Sequence, residues 1–195
     1  MGKTWRKASE AFKPELAGDD DYGKQVPLAR AIPLWGGCSG KGFSTVLFHE
    51  TKKLSVGEWC AAVKAGKLKA AITRLKPVKA AGPWWALCDN ECFLRAAKSA
   101  EAHKQAGVKL WRIPPKSPDL NPVEKFWSWL RRKLRAMDLA DAVAKRPSLG
   151  KQEYKARVQG VLKSRKAQQV AANCATSFKK TCREVAQRKG AGSKG

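Results

Sequence analysis

Two acids in this chain stand out for where they lie. Asp89 closes the apolar run Pro83-Trp84-Trp85-Ala86-Leu87-Cys88, Glu124 follows Asn121-Pro122-Val123 at the start of a helical pattern, and 34 residues separate them. Carboxylates delivered from separate elements to one point are the hard oxygen donors that hold Mg²⁺ for hydrolysis and transfer of phosphodiesters. Each acid alone has a plainer reading. Asn121 with Glu124 three residues on is a variant of the capping box, and Asp89-Asn90 is a common turn dipeptide at a strand end. Together, a strand-end acid, a helix-start acid, a helix–strand unit between them and a basic surround point to metal-dependent chemistry on nucleic acid.

The charge supports that direction. Lys and Arg number 40 against 16 acids in 195 residues, a net charge of +24, far more than solubility needs and enough to attract a polyanion through counterion release and steering. An anionic membrane surface would attract the same charge, but no apolar stretch approaches the roughly 20 residues that span a bilayer. Met1-Gly2-Lys3-Thr4-Trp5-Arg6-Lys7 has no apolar core of a secretory signal. The expected location is inside a cell, in the nucleus of a eukaryote or with the DNA in a cytoplasm. Cysteines at 38, 60, 88, 92, 174 and 182 form no C-x-x-C pair, and His49 and His103 stand alone, so neither a zinc site nor a disulfide framework is expected. Cys88 reads as a small packed hydrophobe, and the eight tryptophans as core and groove wall.

The elements that must position the acids follow from periodicity. Residues 1–30 are polar and mixed and read as an irregular leader containing Gly18-Asp19-Asp20-Asp21-Tyr22-Gly23. Apolar runs at 31–35 and 43–48 flank the turn chemistry of Gly36-Gly37-Cys38-Ser39-Gly40-Lys41-Gly42 and predict a β-hairpin. Val56, Trp59, Cys60, Val63 and Leu68 predict one helix over 55–75, with Ser55 as N-cap and Glu58 three residues on. Residues 84–88 read as a buried strand, 96–107 as a helix and 108–113 as a second strand that Pro114-Pro115 ends; strand, helix, strand implies a parallel pair. Pro122 opens the strongest helix, with Val123, Trp127, Leu130, Leu134 and Met137 along one stripe and basic residues elsewhere. From Ala136 to Gly195 there are 14 Lys or Arg against four acids, predicting a basic tail of one or two helices.

The stretch Ile113-Pro114-Pro115-Lys116-Ser117-Pro118-Asp119-Leu120-Asn121-Pro122-Val123-Glu124-Lys125-Phe126-Trp127-Ser128-Trp129-Leu130 closely resembles the signature around the third catalytic acid of Tc1/mariner-type and IS630-type DDE transposases. Trp84 to Asn90 is similar to the strand that carries that family's second acid, and the 34-residue gap matches. Leu34-Trp35-Gly36-Gly37-Cys38-Ser39 resembles the family's Trp-Gly hairpin, Thr4-Trp5-Arg6-Lys7 the stretch after its first acid, and Asn173 through Ser177 to Arg183 and Lys189-Gly190 its closing helix. The resemblance implies an α/β, ribonuclease H-like mixed sheet flanked by helices. In it three acids hold two Mg²⁺ or Mn²⁺ ions that cut and join DNA strands at one site. By position Asp89 supplies the second acid and Glu124 the third.

The chain departs from that pattern. The family's first acid and its strand fall just ahead of Met1, the helix-turn-helix region has no counterpart, Leu94 stands where histidine is usual and Lys116 where tyrosine is usual. Losing the strand would expose a hydrogen-bonding edge or leave a gap in the sheet, so marginal stability is expected. The organisation expected is a leader at 1–30, a partial core at 31–137 and a basic helical tail at 138–195. Asp89 and Glu124 are the candidate catalytic and metal ligands, and Lys116, Lys125, Arg131, Arg132, Lys133 and Arg135 the candidate DNA contacts. The expected partner is DNA, in the form of transposon ends, with a homodimer as an option. The functional expectation is a DNA transposase or endonuclease domain, partial or degenerate; the alternative is a relict or domesticated DNA-binding protein without catalysis. An RNA-associated role is weaker, because no RNP, KH or GXXG signature is present.

Overall fold

The structure, a computed structural model, describes residues 32–49, 53–76, 85–114 and 117–187. The chain divides into two compact units, Met1–Ala31 and Ile32–Gly195, and the described residues all belong to the second. The expectations for the leader, Thr4–Lys7, Trp84, Lys116, Lys189 and Gly190 lie outside them.

The four expected strands are present. β1 (Leu34–Ser39) and β2 (Gly42–Phe48) pair antiparallel, and β3 (Trp85–Cys88) and β4 (Lys109–Arg112) pair parallel with Trp85 opposite Lys109 and Cys88 opposite Arg112. The hairpin differs from expectation in its turn. Gly36 to Ser39 lie within β1, and the chain reverses at Gly40-Lys41, with a bulge between Trp35 and Gly36. Gly36 is needed there for space, since a Cβ would meet the Phe43 ring at 2.5 Å and the Ser44 carbonyl at 2.8 Å.

Among the described residues the strands form two separate two-stranded sheets, β1–β2 and β3–β4. Helices lie on both sides of them. α1 (Val56–Lys64), α2 (Lys67–Leu75), α3 (Cys92–Arg95) and α4 (Ala97–Gln105) share a core with Val46, Leu47 and Cys88, centred on the fully buried Trp59. The Trp59 indole N–H donates to His103 Nε2 at 2.8 Å, which satisfies both groups inside that core. The helix expected over 55–75 is two helices. Gly66 adopts φ +75°, a left-handed conformation glycine takes without Cβ strain, and its N–H donates to the Val63 carbonyl, closing α1 before α2 begins.

On the other side α5 (Pro122–Val143), α6 (Lys151–Lys163), α7 (Arg165–Thr176) and α8 (Phe178–Gln187) complete the domain. The expected stripe on α5 shifts: the buried residues are Phe126, Leu130 and Leu134, one helical turn apart, while Val123, Trp127 and Met137 pack at the margin. Phe126 is fully buried and stacks on Phe43 of β2 at 4.7 Å. The region expected as a tail of one or two helices holds α6, α7 and α8. Val158, Val161, Leu162, Ala167 and Ala171 pack into the same core as Phe126. Gln168 of α7 accepts the Phe43 N–H at 3.0 Å and donates to the Leu162 carbonyl at 2.8 Å, tying the hairpin to the helices. Arg157 of α6 holds α5 through Asp138 at 2.8 Å and Asp141.

Candidate active site

Asp89 directly follows β3, and Glu124 is the third residue of α5. Two hydrogen bonds hold the segment after β3 against the end of β4: the Asn90 amide donates to the Ile113 carbonyl at 2.6 Å, and the Ile113 N–H donates to the Cys88 carbonyl at 2.9 Å. Arg112 adds a bond to the Leu94 carbonyl at 3.1 Å. The parallel pair therefore presents Asp89 at its carboxyl end, where ligands bind in open α/β sheets. Leu94, where the resembling family usually has histidine, is fully buried in the core and offers no ligand. Glu124 is carried in by packing: Pro118–Leu120 make a 3₁₀ turn, Pro122 starts α5, and Phe126 anchors the first turn of that helix.

The capping-box reading of Glu124 does not hold. Asn121 makes no side-chain cap bond, and its backbone N–H donates to the Pro118 carbonyl. The Glu124 carboxylate is thus left to face the cavity of about 390 Å³ that it lines together with Asp89. The structure brings the two candidate ligands into one space. It also adds an acid the sequence reading missed, Glu91, which lines the same cavity. Asp89-Asn90-Glu91 was the available signal, and the turn dipeptide obscured it.

Electrostatics couple the three. Loss of water raises the Glu124 pKa, Arg131 lowers it, and Asp89 raises it further. Glu91 is exposed over the residue as a whole, but its surroundings desolvate the carboxyl and, with the charges of Asp89 and Glu124, push it up to about 7. None of the three acids accepts a hydrogen bond or ion pair from a described residue. Like charges crowded together, offset only at Glu124 by the Arg131 guanidinium, are a condition a bound cation relieves, and all-carboxylate oxygen donors suit Mg²⁺ or Mn²⁺. Among the described residues, no group of three His, Cys, Asp or Glu is close enough to hold a metal ion. Asp89 and Glu124 are the carboxylates that line the cavity and would be the ones to hold such an ion.

Cys88, beside Asp89, is buried, and desolvation followed by the Asp89 charge pushes its thiol up to about 11, so it packs as a hydrophobe. Lys125, Arg131, Arg132, Lys133 and Arg135 are all exposed on α5, Lys125 and Lys133 flanking the buried stripe on one side, Arg131 and Arg135 on the other, and Arg132 opposite it. Two tryptophans depart from the core reading: Trp85 and Trp111 are exposed side by side on the β3–β4 sheet, 6.3 Å apart.

The sequence profile of the DDE superfamily endonucleases matches residues 60–144, a span that includes Asp89 and Glu124. No curated protein sequence matches the chain. The fold is similar to a solved structure of the Mos1 transposase catalytic domain with raltegravir and Mn, with a TM-score of 0.57 over 89% of each chain at 12% identity. No helix among the described residues is long and apolar enough to cross a membrane. The described domain is ribonuclease H-like in fold, as the Mos1 likeness shows, and over residues 60–144 it is similar to the DDE superfamily endonucleases.

Proposed function

We propose that the domain is the metal-binding part of a DNA-cleaving and strand-transferring enzyme, in which Asp89 and Glu124 hold Mg²⁺ or Mn²⁺. The observation that carries this reading is the pair itself: two acids from separate elements line one cavity, and neither accepts a hydrogen bond or ion pair from a described residue. A bound divalent cation supplies the positive charge that activates an attacking water or 3′-hydroxyl and stabilises a leaving oxygen. The chain's own residues do the rest. Asp89 and Glu124 fix the ion between the end of β3 and the start of α5. Glu91, ionised only in part near neutral pH, is placed to take or return a proton at its carboxyl oxygen. Lys125, Arg131, Arg132, Lys133 and Arg135, together with Lys116, hold the DNA backbone through phosphates, which gives affinity without sequence choice. Transposon ends are the substrate this reading favours.

A second reading has its own support. With no three-ligand group among the described residues, the domain could act as a DNA-binding protein with a vestigial, non-catalytic site. A plasmid-nicking assay in Mg²⁺ or Mn²⁺, run beside DNA binding at matched salt, separates the two. On the enzyme reading the Asp89→Asn, Glu124→Gln double variant loses all metal-dependent nicking and keeps its DNA affinity. Wild-type protein that binds DNA and never nicks it, in either metal, overturns the enzyme reading and leaves the binding protein.

A further inference from the structure

We propose that β4 and the end of α4 form a binding site for an unpaired nucleic-acid strand, with bases stacked on Trp85 and Trp111 and a phosphate held in a basic pocket at the outer edge of β4. The pairing register sets Trp85 opposite Lys109 and Leu87 opposite Trp111. By strand alternation these four residues share one face of the sheet. The other face, with Cys88 and Leu110, packs into the core that α4 shares. On the first face Trp85 is 54% and Trp111 64% exposed, and no other aromatic side chain among the described residues is exposed. Their ring planes stand 71° apart. The indoles therefore do not stack on one another, and their exposure leaves ring surface open to a planar ligand.

A pocket of about 510 Å³ adjoins this face. Lys109 and Arg112 both line it although their side chains leave β4 on opposite faces, and β3 contributes nothing, so the pocket lies at the outer edge of β4. Its charged side chains are Lys104, Lys109 and Arg112, and no acid lines it. Two of these cations have ordinary structural uses. Lys104 suits the last turn of α4, and Lys109 Nζ lies 5.5 Å from the centre of the Trp85 ring. His103 goes beyond such uses. It lines the pocket and is only 5% exposed. Burial and then the Arg112 charge lower its pKa, which favours the neutral ring. Because Nε2 accepts the Trp59 indole N–H, the hydrogen of that neutral ring sits on Nδ1, and Nδ1 has no partner among the described residues. A buried N–H donor beside three cations fits a phosphate oxygen.

Duplex DNA hides its base faces in its own stack and would use the cations alone. An unpaired strand uses both halves of the site, since its bases stack on indoles while its phosphates meet the cations. Lys109 and Trp111 are roughly 7 Å apart along β4 at ~3.3 Å per residue, within reach of one short stretch of strand. Trp85 also lines the cavity of Asp89 and Glu124, so a strand bound here lies beside those acids. The site requires no metal and stands or falls apart from the reading of that pair.

The test uses the full chain without divalent ions. The anisotropy of a labelled oligothymidine of about twelve nucleotides is followed beside a duplex and an abasic strand of the same length at matched salt. The expected result is oligothymidine bound at least about fivefold more tightly than the abasic strand, which carries the same phosphates without bases. A Trp85→Ala, Trp111→Ala double variant that keeps its helical circular dichroism loses this preference and keeps its duplex affinity. A Lys104→Gln, Lys109→Gln double variant weakens both single strands and lowers the salt slope for oligothymidine by about 1.4, from two phosphates at ~0.7 each. The Asp89→Asn, Glu124→Gln variant binds oligothymidine as wild type does, so failure of this site and failure of the metal reading are told apart. The proposal is overturned if wild type shows no preference over the abasic strand, if the preference survives loss of both indoles, or if their loss weakens duplex binding equally. It is overturned equally if the indoles are needed for binding phosphatidylserine vesicles, or for dimer formation by the free chain, and not for oligothymidine.

Discussion

Two helix starts in this domain share one sequence pattern and come to opposite ends. At α1, Ser55 precedes Glu58 by three residues, and the capping box forms: the Glu58 N–H donates to Ser55 Oγ at 3.2 Å, and the Ser55 N–H donates to the Glu58 carboxylate at 3.0 Å. The Ser55 hydroxyl, which also donates to the Glu58 carboxylate at 2.6 Å, and then the Ser55 N–H hold the Glu58 carboxyl below its ordinary range. At α5, Asn121 precedes Glu124 by the same three residues, yet no side-chain cap forms, and burial raises the Glu124 pKa. A capping acid spends its charge on its own helix, whereas Glu124 keeps its charge available to the cavity. The same residue types at the same spacing therefore serve structure in one place and chemistry in the other.

The comparison can be broken most severely from below. Phe126→Ala removes the fully buried ring beneath the first turn of α5, a loss of about 3–5 kcal/mol, and the thermal midpoint should fall more than for any change at α1. Glu124→Gln sharpens it. Mn²⁺ affinity, read by titration calorimetry, should drop at least about tenfold, or ~1.4 kcal/mol, while the thermal midpoint holds or rises as repulsion with Asp89 is relieved. Glu58→Gln should show the reverse, with metal affinity untouched and the midpoint lowered. An unchanged Mn²⁺ affinity in Glu124→Gln would remove Glu124 from the site. Ser55→Ala should cost about 1 kcal/mol, the ordinary worth of an N-cap, whereas Asn121→Ala should cost less through its side chain because no cap bond is lost.

The smallest effect is in pH. Glu91 has a folded pKa near 7 against an ordinary 4.5, so the folded state binds the extra proton, and metal-free stability should decline as pH rises from about 4.5 to 7. Glu58, held low, contributes with the opposite sign: its stabilisation is present above the ordinary carboxyl range and lost as pH falls below it. Chemical denaturation from about pH 3 to 7 checks both, Glu58 in the lower part and Glu91 in the upper. A Glu91→Gln variant that keeps the full decline would show that the pH dependence arises elsewhere.

Much of this was legible because it is local. The parallel pairing of β3 and β4 follows from a strand–helix–strand pattern whose Asn90 and Pro114 mark where the strands stop. The α1 capping box follows from two residues three apart. The break at Gly66 was hidden because the apolar residues on either side of it continue at near-helical spacing, and only the left-handed backbone reveals two helices. The number of helices after Val143 was under-read because so many of their surface residues are basic, while their small buried residues, Ala167 and Ala171, give little periodic signal.

By itself the sequence determined which elements form and which acids stand at their ends, since backbone propensity, caps and alternation act over a few residues. Only the tertiary structure decided that Glu124 makes no cap and is partly desolvated, and that Glu91 joins Asp89 in the same cavity. Desolvation and charge coupling depend on what packs nearby, and here the neighbours come from α2, β3 and α5, segments well apart in the chain.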